Sequence, residues 1–354
     1  MFYSALNRNK DKKRIAVRLL ALKQKLANEV PLKCTTNTLI ATWNIREFDN
    51  KSYGIRSDEC LFYIAEIISH FDIIAVQEVR EDLTALKRVM RILGRGNWQY
   101  IVSDVSEGKP GNRERMAFIY DTRSVSFASE AGEVVMPAIE VKQGNKTLRY
   151  DPAKQLYRTP YMCSFQSRWS KLMLCTVHIL YGKDKADNPN RVEEIKLIAD
   201  LLAKRARSNS TPANLVLLGD FNIYKPKDIT MKALTDAGFF IDKSLQKLPQ
   251  TNTGKKARFY DQIAFLPRNE KLEPTGKAGV FDFYETVYTK ADEALYVTEM
   301  GASYHTTSAG KPRANKSLYY NTYWRTFQMS DHLPMWVQIR TDFAQEYLEN
   351  LAKD

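Results

Sequence analysis

Short aliphatic runs recur along the chain, and most of them end on a polar or acidic residue. A run of this length is too brief for a helix, so each predicts a buried β-strand; examples are 38–44, 73–78 and 214–219. Between such runs, apolar residues recur every three or four positions, which predicts helices over 58–70 and 83–93. The alternation of strands and helices predicts an α/β protein.

Polar residues at the predicted strand ends form a recurring pattern. Asp220 and Asn222 follow the run 214–219 and lie two positions apart, so in extended chain their side chains point to the same side. Alone, such a pair is equally consistent with a turn or a helix cap. The other strand-end residues are Asn44, Glu78, His178, Asp261, Asp331 and His332. Because the sequence shows no internal repeat and no long linker, we expect these ends to converge in one domain.

Residues 1–34 form a basic N-terminal extension. Within residues 1–33, nine Lys and Arg residues stand against two acids, a net +7 of the chain's +12. The apolar residues of this segment have the spacing of one helical stripe: Ile15, Leu19, Leu22, Leu26 and Val30. The pattern favours an amphipathic helix docked on the core or on a partner over an arm for nucleic acid or membrane. Organellar targeting by this helix stays open.

Composition narrows the class of protein. The chain has 354 residues, 44% of them hydrophobic, which is enough for a sizeable core. No apolar run approaches the roughly 20 residues that cross a membrane, so we expect no integral membrane segment. Arg18 interrupts the N-terminal apolar stretch, so a signal peptide fits poorly and a cytoplasmic location is expected. The protein is also expected to be a monomer. Four cysteines without a C-x-x-C pair argue against a disulfide framework and against zinc.

The strand-end residues share one chemistry. Glu78, Asp220 and Asp331, with Asn44 and Asn222, are hard oxygen donors that suit Mg²⁺, with Mn²⁺ or Ca²⁺ as alternatives. Two of the chain's four histidines, His178 and His332, lie among them. A histidine beside a carboxylate exchanges protons near neutral pH, and Glu114 and Asp261 are spare acids for this role. Together these groups are suited to hydrolysing a phosphate ester, although each alone fits a cap, a turn or a surface charge.

Short motifs in a fixed order carry a family resemblance. They extend over residues 38–340 and read TWNI at 42–45, QEVR at 77–80, RER at 113–115, RTP at 158–160, TVH at 176–178, GDFN at 219–222, YDQI at 260–263 and SDH at 330–332. In this order the chain resembles the endonuclease/exonuclease/phosphatase superfamily, and within it the deoxyribonuclease I branch. The resemblance implies a four-layer α/β sandwich of two packed mixed β-sheets flanked by helices.

The resemblance also implies roles for individual residues. Asn44 and Glu78 would hold the catalytic divalent metal, with Asp331 nearby. The catalytic residues would be two histidine–carboxylate pairs and a pair that orients water and a phosphate oxygen: His178 with Glu114, His332 with Asp261, and Asp220 with Asn222. Water would attack phosphorus in line, with His332 as base and His178 as the acid that assists the leaving oxygen. Arg80 and Arg158 would contact a nucleic-acid strand.

The substrate expected from the resemblance is nucleic acid, with endonucleolytic cleavage of DNA favoured. His178 argues against the abasic-endonuclease branch, and the YDQ sequence at 260–262 lacks features of inositol 5-phosphatases. A departure is Asn112, where deoxyribonuclease I has a tyrosine that touches DNA. A phosphodiesterase or phosphatase acting on a lipid or inositol phosphate is the alternative. A non-catalytic nucleic-acid-binding member of the fold is the other alternative.

Residues 35–354 are expected to form one catalytic domain with an insertion at about 281–327. The second half of the insertion carries cations and aromatic residues without any acid. Since it leads into Asp331 and His332, one hypothesis makes it a nucleic-acid clamp that includes Lys311 and Arg313. The equally weighted alternative is that Trp324 and Phe327 belong to a strand core while the cations belong to a solvated loop.

Overall fold

Two β-sheets pack face to face and form the centre of the molecule. The computed structural model describes residues 1–48, 56–107, 111–207, 214–267 and 272–353. Its strands are β1 Asn37–Phe48, β2 Ile73–Arg80, β3 Trp98–Val102, β4 Glu114–Asp121, β5 Ser126–Glu133, β6 Ile139–Gln143, β7 Lys146–Asp151, β8 Tyr161–Ser167, β9 Ser170–His178, β10 Asn214–Asp220, β11 Asp261–Leu266, β12 Glu273–Val280 and β13 Met335–Arg340.

Both sheets are mixed. The first has six strands in the order β12-β13-β1-β2-β4-β3, and the second has five in the order β11-β10-β9-β8-β5. The pairs β1–β2 and β9–β10 are parallel, whereas the other pairs in these sheets are antiparallel. Side chains such as Ile40, Phe118, Phe165, Val216 and Ile263 fill the space between the sheets. Strands β6 and β7 form a separate hairpin.

Helices cover the outer faces of both sheets. They are α1 Lys12–Glu29, α2 Asp58–Ser69, α3 Thr84–Leu93, α4 Pro189–Arg207, α5 Ile229–Thr235, α6 Lys243–Gln246, α7 Val297–Met300, α8 Ala302–His305, α9 Lys316–Tyr319, α10 Arg325–Gln328 and α11 Ala344–Leu351. Helices α1 to α3 share a core with the first sheet, and α4 with the second. The predicted four-layer α/β sandwich is confirmed.

Helix α1 lies against α2 with its apolar stripe inward. The five residues of the stripe, Ile15, Leu19, Leu22, Leu26 and Val30, are all buried. Ion pairs fix the helix at its flanks, including Arg14 Nη2 with Glu59 Oε2 at 2.7 Å and Lys25 Nζ with Glu285 Oε2 at 2.6 Å. The extension is thus docked on the core, as the spacing of its apolar residues favours.

The insertion consists of short helical turns. Two 3₁₀ segments, Phe283–Glu285 and Lys290–Tyr296, precede α7 and α8, and a π-helical turn at Tyr320–Trp324 joins α9 to α10. The alternative that Trp324 and Phe327 belong to a strand is wrong, because both are helical. Phe327 is nonetheless buried, and the Trp324 ring packs against Tyr288 and Tyr296.

Four strands lie outside the short aliphatic runs that predict strands in the sequence. They are β5, β6, β7 and β12, and they consist mostly of exposed or half-exposed residues. Because neither of their faces is fully buried, they lack the aliphatic runs that predict the central strands.

Neither disulfide bonds nor membrane helices are found in the part of the chain that the structure describes. The thiols of Cys34, Cys60, Cys163 and Cys175 are all free. Of the helices in the described ranges, none is both long enough and apolar enough to cross a bilayer.

Candidate active site

Strand pairing brings the strand-end residues to one edge of the sandwich. Asp220 at the end of β10 lies opposite His178 of β9 on one side and Asp261 of β11 on the other. In the first sheet, Glu114 at the start of β4 pairs with Arg80 at the end of β2. All the catalytic residues predicted from the sequence therefore approach one another at the cleft between the sheets.

His178 and Glu114 form the first histidine–carboxylate pair. His178 Nδ1 lies 2.8 Å from Glu114 Oε2, and both side chains are buried. Burial and the charge of Arg158 act to lower the pKa of His178, but the Glu114 and Asp220 carboxylates outweigh them and the pKa is raised. Burial alone would raise the pKa of Glu114, but His178 and Arg158 hold it below its usual range. The pair therefore favours an ionised carboxylate beside a histidine that can carry a proton.

Two further side chains hold Glu114 in place. Arg158 Nε donates to Glu114 Oε2 at 2.8 Å, and Asn112 Nδ2 donates to Glu114 Oε1 at 2.8 Å. Asn112 thus contacts the candidate catalytic carboxylate of Glu114 from the position where the resemblance leads to a tyrosine. Arg80 pairs with Glu47 and donates to the Asn112 carbonyl oxygen. Arg80 and Arg158, which are predicted to contact the nucleic-acid strand, therefore lie at the site and also hold its side chains in place.

His332 and Asp261 form the second pair. His332 Nδ1 lies 2.8 Å from Asp261 Oδ2, and the Tyr260 ring stacks on the imidazole with centroids 5.4 Å apart. Burial would lower the pKa of His332, but Asp261 and then Asp220 raise it well above its usual value. Burial raises the pKa of Asp261, against the opposing charge of His332. Asp261 fixes the ring so that Nε2 points towards the cleft.

Asp220 lies between the two histidines. Its Oδ2 atom is 3.5 Å from His178 Nε2 and 3.8 Å from His332 Nε2. The same oxygen accepts from Asn44 Nδ2 at 3.0 Å, and Oδ1 accepts from the Asn222 backbone at 2.9 Å. Asn222 adopts φ 53° and donates Nδ2 to the Ile179 carbonyl oxygen at 2.8 Å. These contacts orient one carboxylate towards both acid–base groups.

Asn44 and Glu78 lie next to Asp220 at breaks in strand pairing. The β1–β2 register shifts between Asn44 and Phe48, and Glu78 adopts φ 60°. Asn44 Nδ2 donates to Glu78 Oε1 at 2.9 Å, and the Glu47 backbone donates to Glu78 Oε2 at 2.7 Å. Burial raises the pKa of Glu78, and the charges of Glu114 and Asp331 raise it further, to about 7.

The donor set of this corner fits a hard divalent cation. Asn44 Oδ1 is buried and has no hydrogen-bond partner. Nδ2 of the same amide donates to the Glu78 carboxylate, whose charge is destabilised by burial. Within the described ranges, no three His, Cys, Asp or Glu side chains form a closed metal cage. Mg²⁺ does not need one, since it commonly takes one or two carboxylates and completes its shell with water and phosphate oxygens.

Ser330 is a site residue that was quoted only as part of the SDH motif and had no predicted role. Its Oγ donates to the Asn44 carbonyl oxygen at 2.6 Å and accepts from the backbone amides of Arg46 and His332 at 3.1 and 3.0 Å. One hydroxyl thereby joins the β1 end that carries Asn44 to the segment that carries His332. The position of Ser330 two residues before His332 was a usable signal, but a lone serine is an ordinary turn residue.

Lys311 and Arg313 lie in the insertion. Thr306 and Pro312 form an isolated bridge, and Arg313 donates to the Ser303 and Thr306 carbonyl oxygens while lying 4.1 Å from the Tyr319 ring centroid. Lys311 is exposed. The helical segment that follows reaches the site region, since Arg46 Nη1 donates to the Thr322 carbonyl oxygen at 3.2 Å.

Comparison with known proteins identifies the class to which this fold and site belong. A model of the endonuclease/exonuclease/phosphatase family matches residues 41–289. A deoxyribonuclease of Thioalkalivibrio sp. (strain K90mix) is 25% identical over 260 residues, which are 72% of this chain and 64% of that relative. The chain thus spans less than two thirds of the length of that relative.

Solved structures share the fold. An endonuclease/exonuclease/phosphatase family protein from Bacteroides thetaiotaomicron aligns with a TM-score of 0.54 at 18% identity, covering 87% of this chain and 99% of that one. A mannosyl-6-phosphatase from B. thetaiotaomicron VPI-5482 aligns with a TM-score of 0.51 at 17% identity, covering 85% and 99%. The chain belongs to the endonuclease/exonuclease/phosphatase family, whose members hydrolyse phosphate esters.

Proposed function

We propose that the chain is a divalent-metal-dependent phosphodiesterase that hydrolyses nucleic acid, with DNA cleaved endonucleolytically. The observation that carries the proposal is the approach of two histidine–carboxylate pairs to the single carboxylate of Asp220. Proton transfer at both the attacking and the leaving oxygen of a phosphodiester needs two such groups. The deoxyribonuclease relative supports nucleic acid as the substrate.

Asn44 and Glu78, with Asp331 nearby, are the residues that would hold the metal. Mg²⁺ is the proposed ion because the donors are oxygens, with Mn²⁺ and Ca²⁺ as substitutes. When bound, the ion would supply positive charge against the phosphate oxygens. The unpaired Oδ1 of Asn44 is the buried donor that supports this assignment.

The chain's own residues would perform the proton transfers. Because Asp261 and Asp220 raise the pKa of His332, the ring must first lose its proton to act as the base. Asp261 engages Nδ1, and Nε2 of the neutral ring would then take the proton of the attacking water. Asp220 and Asn222 orient that water and a phosphate oxygen. On the opposite side, Glu114 engages Nδ1 of His178, so that the protonated Nε2 donates to the leaving 3′ oxygen.

Four cations are proposed to contact the nucleic-acid strand: Arg80, Arg158, Lys311 and Arg313. The first two lie at the Glu114 side of the cleft, and the other two lie in the insertion. Because Arg158 also pairs with Glu114, its loss would affect catalysis as well as binding.

Turnover of a substrate panel tests the proposal. Supercoiled plasmid, single-stranded DNA, RNA, sphingomyelin, an inositol polyphosphate and bis(4-nitrophenyl) phosphate are each incubated with Mg²⁺ or with chelator. We expect Mg²⁺-dependent nicking of the plasmid and a loss of roughly 100- to 10,000-fold in the His178→Ala variant. A His70→Ala variant is the matched control, since His70 lies in the outer layer after α2. Turnover of the lipid or inositol substrate with intact plasmid would reject the nuclease assignment, and turnover of nothing would favour a binding protein.

A further inference from the structure

Three loops beside the cleft carry a concentration of lysines that takes no part in the proposed chemistry. One loop, 179–188, follows His178; a second, 223–228, follows Asn222; and a third, 251–260, precedes Asp261. Their lysines are all exposed: Lys183, Lys185, Lys225, Lys227, Lys255 and Lys256. These six residues are called the lysine platform below. Since each loop begins or ends at a catalytic residue, the lysine platform adjoins the cleft.

A cluster of tyrosines joins the three loops into one surface. Tyr181, Tyr224 and Tyr260 come from one loop each, and their ring centroids are 6.0 to 6.3 Å apart. Tyr260 also stacks on His332 with an interplanar angle of 29°. The tyrosine cluster that joins the loops of the lysine platform is therefore in direct contact with His332 through Tyr260.

Polar contacts fix the conformation of these loops. Arg258 lies 3.9 Å from the Tyr224 ring centroid and 3.4 Å from Asp184 Oδ1, which also accepts from the Tyr224 hydroxyl at 2.6 Å. The fully buried Arg191 guanidinium donates to the carbonyl oxygens of Tyr181 and Lys185. The loops are thus braced from within, which holds their lysines towards solvent.

The charge of the lysine platform is only partly offset by local acids, since Asp184 interacts electrostatically with Lys256. The three loops contain only three acids, Asp184, Asp187 and Asp228. Asp184 already serves Arg258 and Tyr224, and Asp228 accepts from the Lys225 backbone amide. Within the described ranges, no carboxylate forms an ion pair with any of the six ammonium groups. A dense positive surface of this kind attracts a partner with several phosphates.

An aromatic ring favours nucleic acid over an anionic membrane as that partner. Tyr181 is 39% exposed, and its ring is held against Tyr260 in an edge-on arrangement at 82°. A rigid exposed ring among lysines suits base stacking beside phosphate neutralisation. Membrane surfaces are instead bound by an apolar face that enters the headgroup layer, and these loops consist largely of lysine and small polar residues.

We propose that the lysine platform binds the nucleic-acid strand that extends beyond the cleaved phosphate on the His332 side. The substrate class is then a polynucleotide that spans several phosphates, and not a small phosphorylated molecule. This inference rests on the proposed function, since it uses a nucleic-acid substrate in the same cleft.

Binding and turnover are measured separately to test it. The platform variant changes all six lysines to Gln. The control variant changes six exposed lysines elsewhere to Gln: Lys10, Lys12, Lys13, Lys87, Lys204 and Lys290. Each set is combined with His178→Ala, and the affinity for a labelled single-stranded DNA oligonucleotide is measured against salt concentration. With His178 intact, kcat and KM for bis(4-nitrophenyl) phosphate are measured for both sets.

The platform variant should bind the oligonucleotide about tenfold or more weakly, and its logarithmic salt slope should fall by about 2 to 4. The control variant's affinity for the oligonucleotide should change less than twofold, because distant surface charges are screened. The values of kcat and KM for bis(4-nitrophenyl) phosphate should also change less than twofold in both variants. Equal losses in both variants, or an unchanged affinity in the platform variant, would overturn the inference. So would lysine-dependent binding of phosphatidylserine vesicles with DNA affinity unchanged. Absence of all turnover would count against the proposed function alone, because the binding comparison does not need it.

Discussion

At position 219 the backbone leaves no room for a side chain. Gly219 precedes Asp220 and adopts φ 137°, a conformation that residues with a Cβ rarely adopt. A Cβ there would overlap the Val177 carbonyl oxygen and lie 2.9 Å from the Val177 amide nitrogen. Both are backbone atoms of the neighbouring strand β9, one residue before His178. The close approach of β9 and β10 that aligns His178 with Asp220 therefore depends on glycine.

A Gly219→Ala variant should lose roughly 2–5 kcal/mol of unfolding free energy, because strain in φ and a backbone clash both act on it. The measurement is chemical denaturation at neutral pH. Gly132→Ala is the matched control, since a Cβ at that position meets no atom within 4 Å. A loss in Gly219→Ala no larger than that in the control would contradict the packing described for β9 and β10.

The candidate catalytic residues at strand ends were predictable from the sequence, whereas the residues that hold them in place were not. Asp220 and His178 end aliphatic runs and His332 precedes one, and that contrast is visible in the sequence. Ser330 acts through the backbone of its own segment at His332 and through two backbone groups of β1, at Asn44 and Arg46, which lie far away in the chain. The double role of Arg158 depends in the same way on a distance to Glu114 that no spacing encodes.

At the scale of elements, α1 shows how far a periodic pattern predicts packing. Its stripe of apolar residues predicted both the helix and its buried face, because burial of a helix requires one continuous apolar side. The partners on the other side of the contact were not predictable. Glu59, for instance, is buried and accepts from Arg14, Tyr63 and Tyr296, and so joins α1, α2 and the insertion. The insertion is thereby part of the outer helical layer.

Variants of two leucines in α1 distinguish the contribution of packing to stability from that of helix formation. Leu22 is fully buried, whereas Leu20 is 67% exposed on the same helix. Leu22→Ala should lower the unfolding free energy by roughly 2–5 kcal/mol through lost contacts and a cavity. Leu20→Ala should change it by less than about 0.5 kcal/mol, because alanine keeps the helix and nothing buried is removed. Similar values for the two variants in thermal or chemical denaturation would mean that α1 is not docked as described.

At the scale of the whole molecule, the packing of two mixed sheets was predicted from the resemblance and not from the periodic pattern, and the order of strands within each sheet was not predicted. Aliphatic runs indicate that strands are central, but not which strands are neighbours. The lysine platform illustrates the same limit, because its loops lie between residues 179 and 260 and are separated by α4, β10, α5 and α6. Only the folded arrangement, with one tyrosine from each loop, shows that they form one surface.

The first sheet is tied to the N-terminal extension by charge, which gives global stability a defined pH dependence. Asp121 at the end of β4 is buried and accepts from Lys33 Nζ at 2.9 Å and from Arg123. Burial alone would raise its pKa, but the hydrogen bond from Arg123 and the charge of Lys33 lower the pKa to about 2. Because the folded pKa lies below the unfolded value, the contribution of Asp121 is complete above the unfolded pKa and is lost as pH falls towards about 2.

Asp121→Asn should therefore be less stable than the unmodified chain at neutral pH, and the difference should shrink below about pH 4, where the carboxylate of the unmodified chain begins to gain its proton. Denaturant titrations from neutral pH downwards measure both proteins under the same conditions. Asp236→Asn is the control, because Asp236 pairs with Lys232 on an exposed helical turn, where ion pairs contribute little. A difference for Asp121→Asn that stayed constant across the whole pH range would mean that the lost stability comes from hydrogen-bond geometry. The charge of Asp121 would then not be what ties β4 to Lys33.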